Sequence, residues 1–510
     1  MYFLVSSWYH KIDPWQSVTQ PHFFASDYEN FDEMVSLSQM MLRESKNCQL
    51  CVLNYHPHLR TFLQRKSLRE LPYFSFFDFI QGFKNETTVP FNIDNLFLPE
   101  KSEILYTPHK TRIQVDNKPY IDAYYGQSGT IIYLDFFENE IFSKRIYVDD
   151  RGYLSMIEKY ENNQVITREF LDKYGQVVLK ENVLSMTVEL ANKIAGLQTV
   201  YSSMTELMAE VVKKLTKEYL DPDDIIVVSS AYQHDNFFQD CPQKIIYTIN
   251  QQKVDQLMSE QVLTYLNRQL IIVDSEVTRH LLTSKITSNF PNQKVPQLLM
   301  IPPFDTRFSL GISSQLSEMK ILVMMDDLEE EWLKGLLLVF EKLLSQNRLL
   351  RLQFVSLINH SPFKKEVEQW MLERQIEFND YMKNDFEDFV ETDIFLVAEW
   401  LDLNQEETLM ACINEARIVV DLSERPNLFV ELAAISCGIP QIHRVETGFV
   451  IQDKNGWIIQ SSEELVAAIQ YYLEEITHWN RALIENVQMI EKYQSDKILN
   501  NLQQAIEENK

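Results

Sequence analysis

Glycine is scarce: only 11 of the 510 residues are glycine, well under the roughly 7% of average usage. No two of them stand in a GxGxxG or GxxxxGK[ST] arrangement, so the chain has neither a dinucleotide fingerprint nor a P-loop, both of which need glycine where backbone approaches phosphate. A GxSxG nucleophile elbow is absent too. Long apolar runs are also missing. Polar or acidic residues interrupt each one before the roughly 18 residues a membrane helix requires, and the first residues lack a basic region followed by an apolar stretch. The sequence therefore predicts a chain with no ordinary export signal and no membrane-spanning helix. Cysteine is sparse and odd in number, at Cys48, Cys51, Cys241, Cys412 and Cys437, which fits a reducing compartment rather than a disulfide framework. Cys48 and Cys51 form a CxxC inside an apolar run that reads as a strand, where residues three apart face opposite sides. Histidines are scattered, and the one close pair, His56-Pro-His58, lacks the helical spacing of a zinc motif. Basic residues number 47 against 74 acidic ones, giving a net charge of -27, so nucleic acid would be repelled over most of the surface.

What is present is the composition of folded protein, 45% hydrophobic and 24% charged, on a chain long enough for two to four domains at roughly 100–200 residues each. Strand-like and helix-like stretches alternate through residues 1–103, among them Tyr2–Trp8, Phe31–Glu44 and Cys48–Tyr55. Residues 104–190 change character, with strand-rich runs Thr130–Phe137, Phe142–Val148 and Val165–Leu171 separated by turn signals at Glu138-Asn139, Asp150-Arg-Gly152, Asn162-Asn163 and Lys173-Tyr-Gly175. That spacing predicts an antiparallel meander inserted in an α/β domain. The helical period returns near Leu197, and Asp224–Ser230 is a continuous apolar run suited to a parallel sheet covered on both faces. Asp221-Pro-Asp-Asp224 has the look of an acidic metal motif, but an Asp-Pro pair before a strand reads as a turn. Pro302-Pro303 breaks the chain, and a second α/β series starts at Lys320–Met325. Its expected elements are helices over 329–346, 363–374, 404–415 and 428–437, with strands at Leu352–Ser356, Asp393–Val397, Ile418–Asp421 and Gln441-Ile442.

The fold class expected is α/β, two doubly wound Rossmann-like domains with an antiparallel β insertion in the first. The expected boundaries are 1–103 with 191–302 for the N-terminal domain, 104–190 for the insertion, 303–319 for a linker and 320–475 for the C-terminal domain. A helical tail over 476–510 is expected to pack back on the N-terminal domain.

The segment with most chemical content runs from Ala416 to Ile442: an apolar strand reaching Asp421, a polar loop, and a short helix ending at Gly438. A loop between a strand's carboxyl end and a helix's amino end is where α/β proteins bind anions and nucleotides. Here the sequence resembles the donor-binding domain of GT-B glycosyltransferases, whose pattern is a serine, two glutamates separated by seven residues, then small residues, Gly and Pro. Ser423, Gly438 and Pro440 match that frame, whereas the glutamate positions hold Arg425 and Ala433, with Glu424 and Glu431 displaced by one and two residues. A one-residue shift turns a helical side chain by about 100°. Lys334-Gly335 keeps the frame of a Lys-Gly pair that the resemblance assigns to the diphosphate, yet the preceding loop, Met325–Glu331, carries five carboxylates, which would oppose a diphosphate. The residues singled out as vestigial donor-cleft loops are thus Lys334, Ser423, Glu424, Arg425, Asn427 and Glu431. No catalytic residue, metal ligand or cofactor is assigned.

Over its whole length the chain resembles the first member of the accessory secretory protein trio of the accessory Sec system in Gram-positive bacteria. The resemblance is carried by Met1–Trp8, Val52–Arg65 with its Asn-Tyr-His-Pro-His-Leu-Arg block, Arg145–Ser155, and Asp421–Ile442. It implies a GT-B-like fold without transferase activity, and a cytoplasmic protein that works with the second and third accessory secretory proteins and a dedicated second SecA motor. The cargo implied is a glycosylated serine-rich repeat adhesin, delivered to a translocon at the inner face of the plasma membrane, where peripheral association is allowed. Residues 104–190 are expected to form an interaction surface. Two alternatives stay open: an active retaining GT-B transferase using a UDP-sugar, with Glu424 or Glu431 and Lys334 in the cleft, and a carbohydrate-binding module for the adhesin glycans.

Overall fold

The computed structural model describes residues 1–10, 15, 32–84, 87–108, 110–126, 128–234, 237–238, 241–255, 257, 259–266, 268–303, 310–358, 361–385, 396–403 and 406–509. Alternating structure comes first: β1 (Tyr2–Val5), α1 (Glu33–Arg43), β2 (Cys48–Val52), α2 (Leu59–Arg65), β3 (Tyr73–Ser75) and α3 (Phe76–Gln81). Asp32 starts α1 because its carboxylate accepts from the Met34 and Val35 amides, each at 2.9 Å.

An uninterrupted meander follows: β4 (Ser102–Tyr106), β5 (Lys110–Val115), β6 (Lys118–Tyr125), β7 (Ile131–Glu138), β8 (Ile141–Val148), β9 (Leu154–Glu161), β10 (Gln164–Leu171), β11 (Val177–Asn182), β12 (Val188–Leu190) and β13 (Val200–Tyr201). These form one ten-stranded antiparallel sheet in chain order. Asp116-Asn117, Asn139-Glu140 and Asn162-Asn163 all take positive φ, the pair of left-handed residues that lets a two-residue turn match the twist of its strands. The antiparallel run begins at Ser102 and ends at Tyr201, wider at both ends than the turn signals alone marked.

One row of this sheet is charged from strand to strand. Register aligns Arg112, Asp122, Asp135, Arg145, Glu158, Arg168 and Glu181 across β5 to β11. Arg112 grips Asp122 through two bonds of 2.7 Å, Arg145 grips Asp135 at 2.6 and 2.9 Å, and Arg168 reaches Glu158 and Glu181 at 3.0 Å each. Cross-strand neighbours of opposite charge select one register. Two-point Arg–carboxylate contacts tolerate little slippage.

The first α/β series resumes with α4 (Met204–Glu218), β14 (Ile225–Ser229), β15 (Lys244–Ile249), α5 (Gln251–Val254), α6 (Ser259–Leu266), β16 (Leu270–Val273), α7 (Glu276–Asn289) and β17 (Gln297–Met300). Its seven-stranded sheet has the order β17-β16-β15-β14-β1-β2-β3. The turn before β14 is closed by Asp224, whose carboxylate accepts from the Asp221 amide at 2.9 Å.

The second series comprises β18 (Met319–Met324), α8 (Glu330–Gln346), β19 (Leu350–Ser356), α9 (Lys364–Asp385), β20 (Ala398–Asp402), α10 (Glu406–Glu415), β21 (Ala416–Asp421), α11 (Leu428–Cys437), β22 (Gln441–His443), β23 (Gly456–Ile458), α12 (Ser462–Glu474), α13 (Ile476–Lys492) and α14 (Ser495–Glu508). Its sheet runs β20-β19-β18-β21-β22-β23, all parallel. Ile321, Val323, Leu336, Phe340, Phe354, Ile418, Val420, Leu465 and Ile469 form its core, each burial contributing roughly 1.5–3 kcal/mol.

Two expected elements differ. The strand expected at Asp393–Val397 lies partly outside the described residues, and pairing starts at Ala398, after a half-exposed Leu396. The helix expected over 363–374 continues to Asp385, because no glycine or proline stops it.

The chain divides into two compact units, Met1–Ile272 with Asn289–Gln297, and Val273–Ser288 with Leu298–Lys510. Within the second, α13 is tied down by side chains: Trp479 Nε1 donates to the Arg417 carbonyl at 3.0 Å, and Asn486 Nδ2 to that of Ile439 at 3.2 Å.

Candidate functional site

The loop after β21 is organised by one carboxylate. Asp421 accepts from the Ser423 amide at 3.1 Å, the Ser423 hydroxyl at 2.6 Å and the Asn427 amide at 2.8 Å. Asn427 then caps α11, its side-chain oxygen accepting from the Phe429 and Val430 amides at 3.1 and 3.2 Å. These are the donors that a phosphate at a helix start would use. At the other end Gly438 takes φ +75°, and a Cβ there would stand 2.2 Å from a Leu483 methyl, so both conformation and space require glycine.

Glu431, in the first turn of α11, points into the domain. Its side chain is buried and accepts from the Thr447 hydroxyl. Burial pushes its carboxyl up to about 8; the Thr447 bond works against this and the neighbouring Asp421 adds to it. His443, at the end of β22, lies with Nδ1 3.6 Å from Glu431 Oε1. Burial drives its imidazole down to about 4, against a smaller opposing pull from Asp421. Neither ring nitrogen has a hydrogen-bond partner among the described residues. Near neutral pH this is a protonated acid beside a neutral imidazole.

Glu424 and Arg425 are on the surface. Arg444, which the sequence reading did not single out, lies between Glu424, at 3.7 Å, and Glu329, at 3.0 Å, with its guanidinium 5.2 Å from the Trp332 ring. It ties the loop after β21 to the start of α8. Lys334 is exposed on α8 and bonded to Glu330 one turn back at 2.5 Å. Gly335 serves packing: a Cβ there would come 2.5 Å from the Ser462 Cβ at the start of α12. In the loop after β18, Asp326 accepts from the Ser356 hydroxyl at 2.6 Å and the Leu357 amide at 2.7 Å, and burial raises its carboxyl. Of the six residues singled out, Ser423, Asn427 and Glu431 thus belong to one self-bonded loop and helix start, while Lys334, Glu424 and Arg425 face outward.

A second polar cluster was not legible in the sequence. It sits at the carboxyl ends of β1, β14 and β15, where the first sheet's strand order reverses. Lys253 Nζ donates to Ser7 Oγ at 2.8 Å, Ser229 Oγ at 2.6 Å and Glu33 Oε1 at 2.8 Å. Glu33 also accepts from the Ser229 hydroxyl at 2.7 Å and Asn250 Nδ2 at 3.0 Å. Burial alone would raise the Glu33 carboxyl, but the Lys253 charge and these bonds hold it down to about 2. An ammonium only donates, so Lys253 takes no proton from either serine while it is paired with Glu33. The cluster is a closed network rather than an activated nucleophile.

The Asn-Tyr-His-Pro-His-Leu-Arg block has a structural task. His56 and His58 are buried, and burial takes both down to about 3, so both are neutral. Arg60 pairs with Asp150, whose other oxygen accepts from the Thr61 amide at 2.8 Å, and Arg151 bridges Asp149 at 2.6 Å and Asp78 at 2.8 Å. Two distant sequence blocks, Val52–Arg65 and Arg145–Ser155, thus meet in one ion network that fastens the meander to α2 and α3. Gly152 (φ +89°) sits at its tightest point, since a Cβ would fall 1.6 Å from the Val89 carbonyl oxygen.

Among the described residues no group of histidine, cysteine and carboxylate side chains is arranged to hold a metal ion. No helix there is long and apolar enough to cross a membrane.

A Staphylococcus aureus (strain NCTC 8325 / PS 47) accessory Sec system protein, accessory secretory protein 1, is 30% identical over 520 residues, covering 99% of both chains. In the Glycosylation Associate Protein (Gap123) complex from Streptococcus agalactiae, the matching chain gives a TM-score of 0.81 at 26% identity over 99% of this chain and 100% of that one. In the crystal structure of accessory secretory proteins 1, 2 and 3 of Streptococcus pneumoniae, the values are 0.80 and 26%, over 100% and 99%. The pneumococcal O-GlcNAc transferase in complex with UDP and GlcNAc shares the fold, with a TM-score of 0.70 at 12% identity over 99% and 98%, so the architecture is that of GT-B glycosyltransferases. The model of the accessory Sec system protein family, accessory secretory protein 1, matches residues 1–509, and the chain belongs to that family.

Proposed function

We propose that this chain is a non-catalytic component of the accessory Sec export complex. In this reading it assembles with the second and third accessory secretory proteins and a dedicated second SecA motor. Together they deliver glycosylated serine-rich repeat adhesins to the translocon at the inner face of the membrane. The observation that carries the non-catalytic reading is the self-occupied loop after β21: Asn427 takes the amides of the α11 start, and Glu431 is turned inward onto Thr447. A diphosphate would find the helix donors engaged, Lys334 committed to Glu330 and Arg444 placed between two carboxylates. The partner reading is supported by related chains solved in complex with two further accessory proteins, and the meander is its proposed contact surface.

The test is a calorimetric titration of the purified protein with UDP, UDP-glucose and UDP-N-acetylglucosamine, beside an active GT-B enzyme. No heat is expected at millimolar ligand. Saturable binding, followed by sugar turnover that Lys334→Ala abolishes, would establish the transferase alternative instead. Co-expression with the second and third proteins is expected to yield a single species in size-exclusion chromatography.

A further inference from the structure

The two edges of the ten-stranded sheet are finished differently. β13 is two residues long, and its Tyr201 is buried, with its hydroxyl bonded to Glu210 of α4 at 2.6 Å. That edge is short and covered, as sheet edges usually are. β4 is neither. It has five residues with an unbroken register to β5, no proline and one charge, Glu103. Among the described residues no strand pairs with its outer side. Ile104, Leu105 and Tyr106 are 37%, 44% and 77% exposed, and Phe97 ahead of the strand is fully so, although Leu96 and Leu98 on either side pack against the sheet.

Hydrogen bonding fixes which backbone groups face outward. The Thr107 amide donates to the Lys110 carbonyl at 3.0 Å, and Leu105 stands opposite Arg112. Antiparallel pairs alternate between bonded and unbonded, so Leu105 turns its N–H and C=O toward β5, and Ile104 and Tyr106 turn theirs away. These form a short template for another strand.

Charge selects what that strand is. Residues 101–115 hold three bases, Lys101, Lys110 and Arg112, against one acid, Glu103, in a chain of net charge -27. Asp122, beside them, binds both Lys110, at 2.5 Å, and Arg112, at 2.7 Å, and one carboxylate cannot neutralise two cations. A second copy of the chain, pairing β4 on β4, would add like charge, with the β5 cations of the two copies about three strand spacings, roughly 14 Å, apart, whereas an acidic strand on β4 would lie about two spacings from them.

We propose that β4 is a strand-addition edge, on which an acidic, extended segment of a partner protein docks as an eleventh strand. This rests on the reading of the meander as a partner surface and names the part of it that makes contact. Main-chain bonds to Ile104 and Tyr106 supply the docking, and the cations beside Leu105 favour an acidic sequence.

The experiment uses the full chain co-expressed with the second and third accessory secretory proteins, and reads amide hydrogen exchange at single-residue resolution. The Ile104 and Tyr106 amides are expected to exchange at least about tenfold more slowly in the complex than in the isolated chain. Ile104→Pro removes an outward N–H without touching a bond to β5, and is expected to weaken assembly about tenfold. Leu105→Glu, a second variant that keeps every backbone bond and adds a charge like the partner's, is expected to weaken it as well, and assembly of the wild type is expected to loosen as salt rises. A complex that forms while both amides exchange as in the free chain overturns the docking edge and leaves the export reading intact. Failure of the wild type to assemble at all overturns that reading, and the docking edge with it. A concentration-dependent dimer of the isolated protein, lost in Ile104→Pro, assigns the edge to a second copy and overturns the acidic partner.

Discussion

Glu33 and Glu431 occupy comparable places and end in opposite states. Each lies in the first turn of a helix close to the point where a parallel sheet reverses its strand order, and each has a buried carboxyl. The helix start favours negative charge in both, and burial opposes it in both. The outcome is set by the partner: Lys253 brings a full charge and holds Glu33 at about 2, whereas Thr447 offers a hydroxyl and leaves Glu431 at about 8. Position in the fold is thus a poor guide to ionisation. One domain pairs its buried charge, and the other neutralises it.

Breaking the pair should have the largest effect. Lys253→Met leaves an ionised Glu33 with no cation, and is expected to cost about 3 kcal/mol or more. Urea denaturation of the variant beside the wild type measures this. Lys253→Met with Glu33→Gln should recover most of the loss, because both charges then go together. A double variant as unstable as the single one would show that packing around Lys253, and not its charge, is what Glu33 depends on.

The comparison also has a sign in pH. The folded chain holds Glu431 protonated up to about pH 8, while an unfolded carboxyl releases its proton near about 4.3. The stability this contributes is complete below that lower value and declines as pH rises toward 8. Glu33 runs the other way, contributing above its ordinary range and losing the contribution as pH falls through about 2. His443 is lowered to about 4, and His56, His58 and His234 are also lowered, to about 3, 3 and 4. Their contributions are present above the ordinary imidazole range of about 6.5 and fade as pH falls. Near about pH 7.5, a unit above the unfolded imidazoles and a unit below the unfolded thiols, the slope therefore belongs chiefly to Glu431, at roughly 1 kcal/mol per unit. Glu431→Gln is expected to flatten it in a series of urea melts, and an unchanged slope would mean that Glu431 is ionised in the folded protein.

A smaller change tests how the donor-like loop is closed. Asn427→Ala removes the side-chain acceptor from the Phe429 and Val430 amides and is expected to cost about 1 kcal/mol. If the cap is what keeps anions out, this variant should bind UDP more strongly than the wild type in the same calorimetric titration.

Much of the fold was legible because its signals are local. Turn pairs such as Asn162-Asn163 marked the meander, and the run Asp224–Ser230 marked a covered parallel strand, which forms over Ile225–Ser229. The loop at Ser423–Asn427 was found for the same reason, since strand end, cap and glycine stop lie within one short stretch. The chemistry of the sites was less legible, because it depends on residues far apart in the chain. Glu33 meets a lysine 220 positions away, and Glu431 meets a threonine 16 positions on. Neither spacing has a pattern to search for. The displaced glutamates suggested a disabled cleft, but not that one of them is buried against a neutral histidine. Lys334-Gly335 keeps the frame of a Lys-Gly pair, but the sequence did not show that Lys334 pairs with Glu330 or that Gly335 packs against the start of α12.

That last pair gives the smallest expected effect. Lys334 and Glu330 are both largely exposed, and exposed helix pairs contribute little because water and salt screen them. Lys334→Ala should therefore leave the urea midpoint where it is and leave the nucleotide titration as flat as in the wild type. Gly335→Ala, one residue on, puts a methyl group against Ser462 and should shift the midpoint downward, since two helices that approach this closely cannot part without opening the core beneath them. If the ranking were reversed, with Lys334→Ala the more damaging and its loss visible only in the presence of UDP, the Lys-Gly pair would be acting on a ligand, and the two halves of the donor-like site would have to be read as working together.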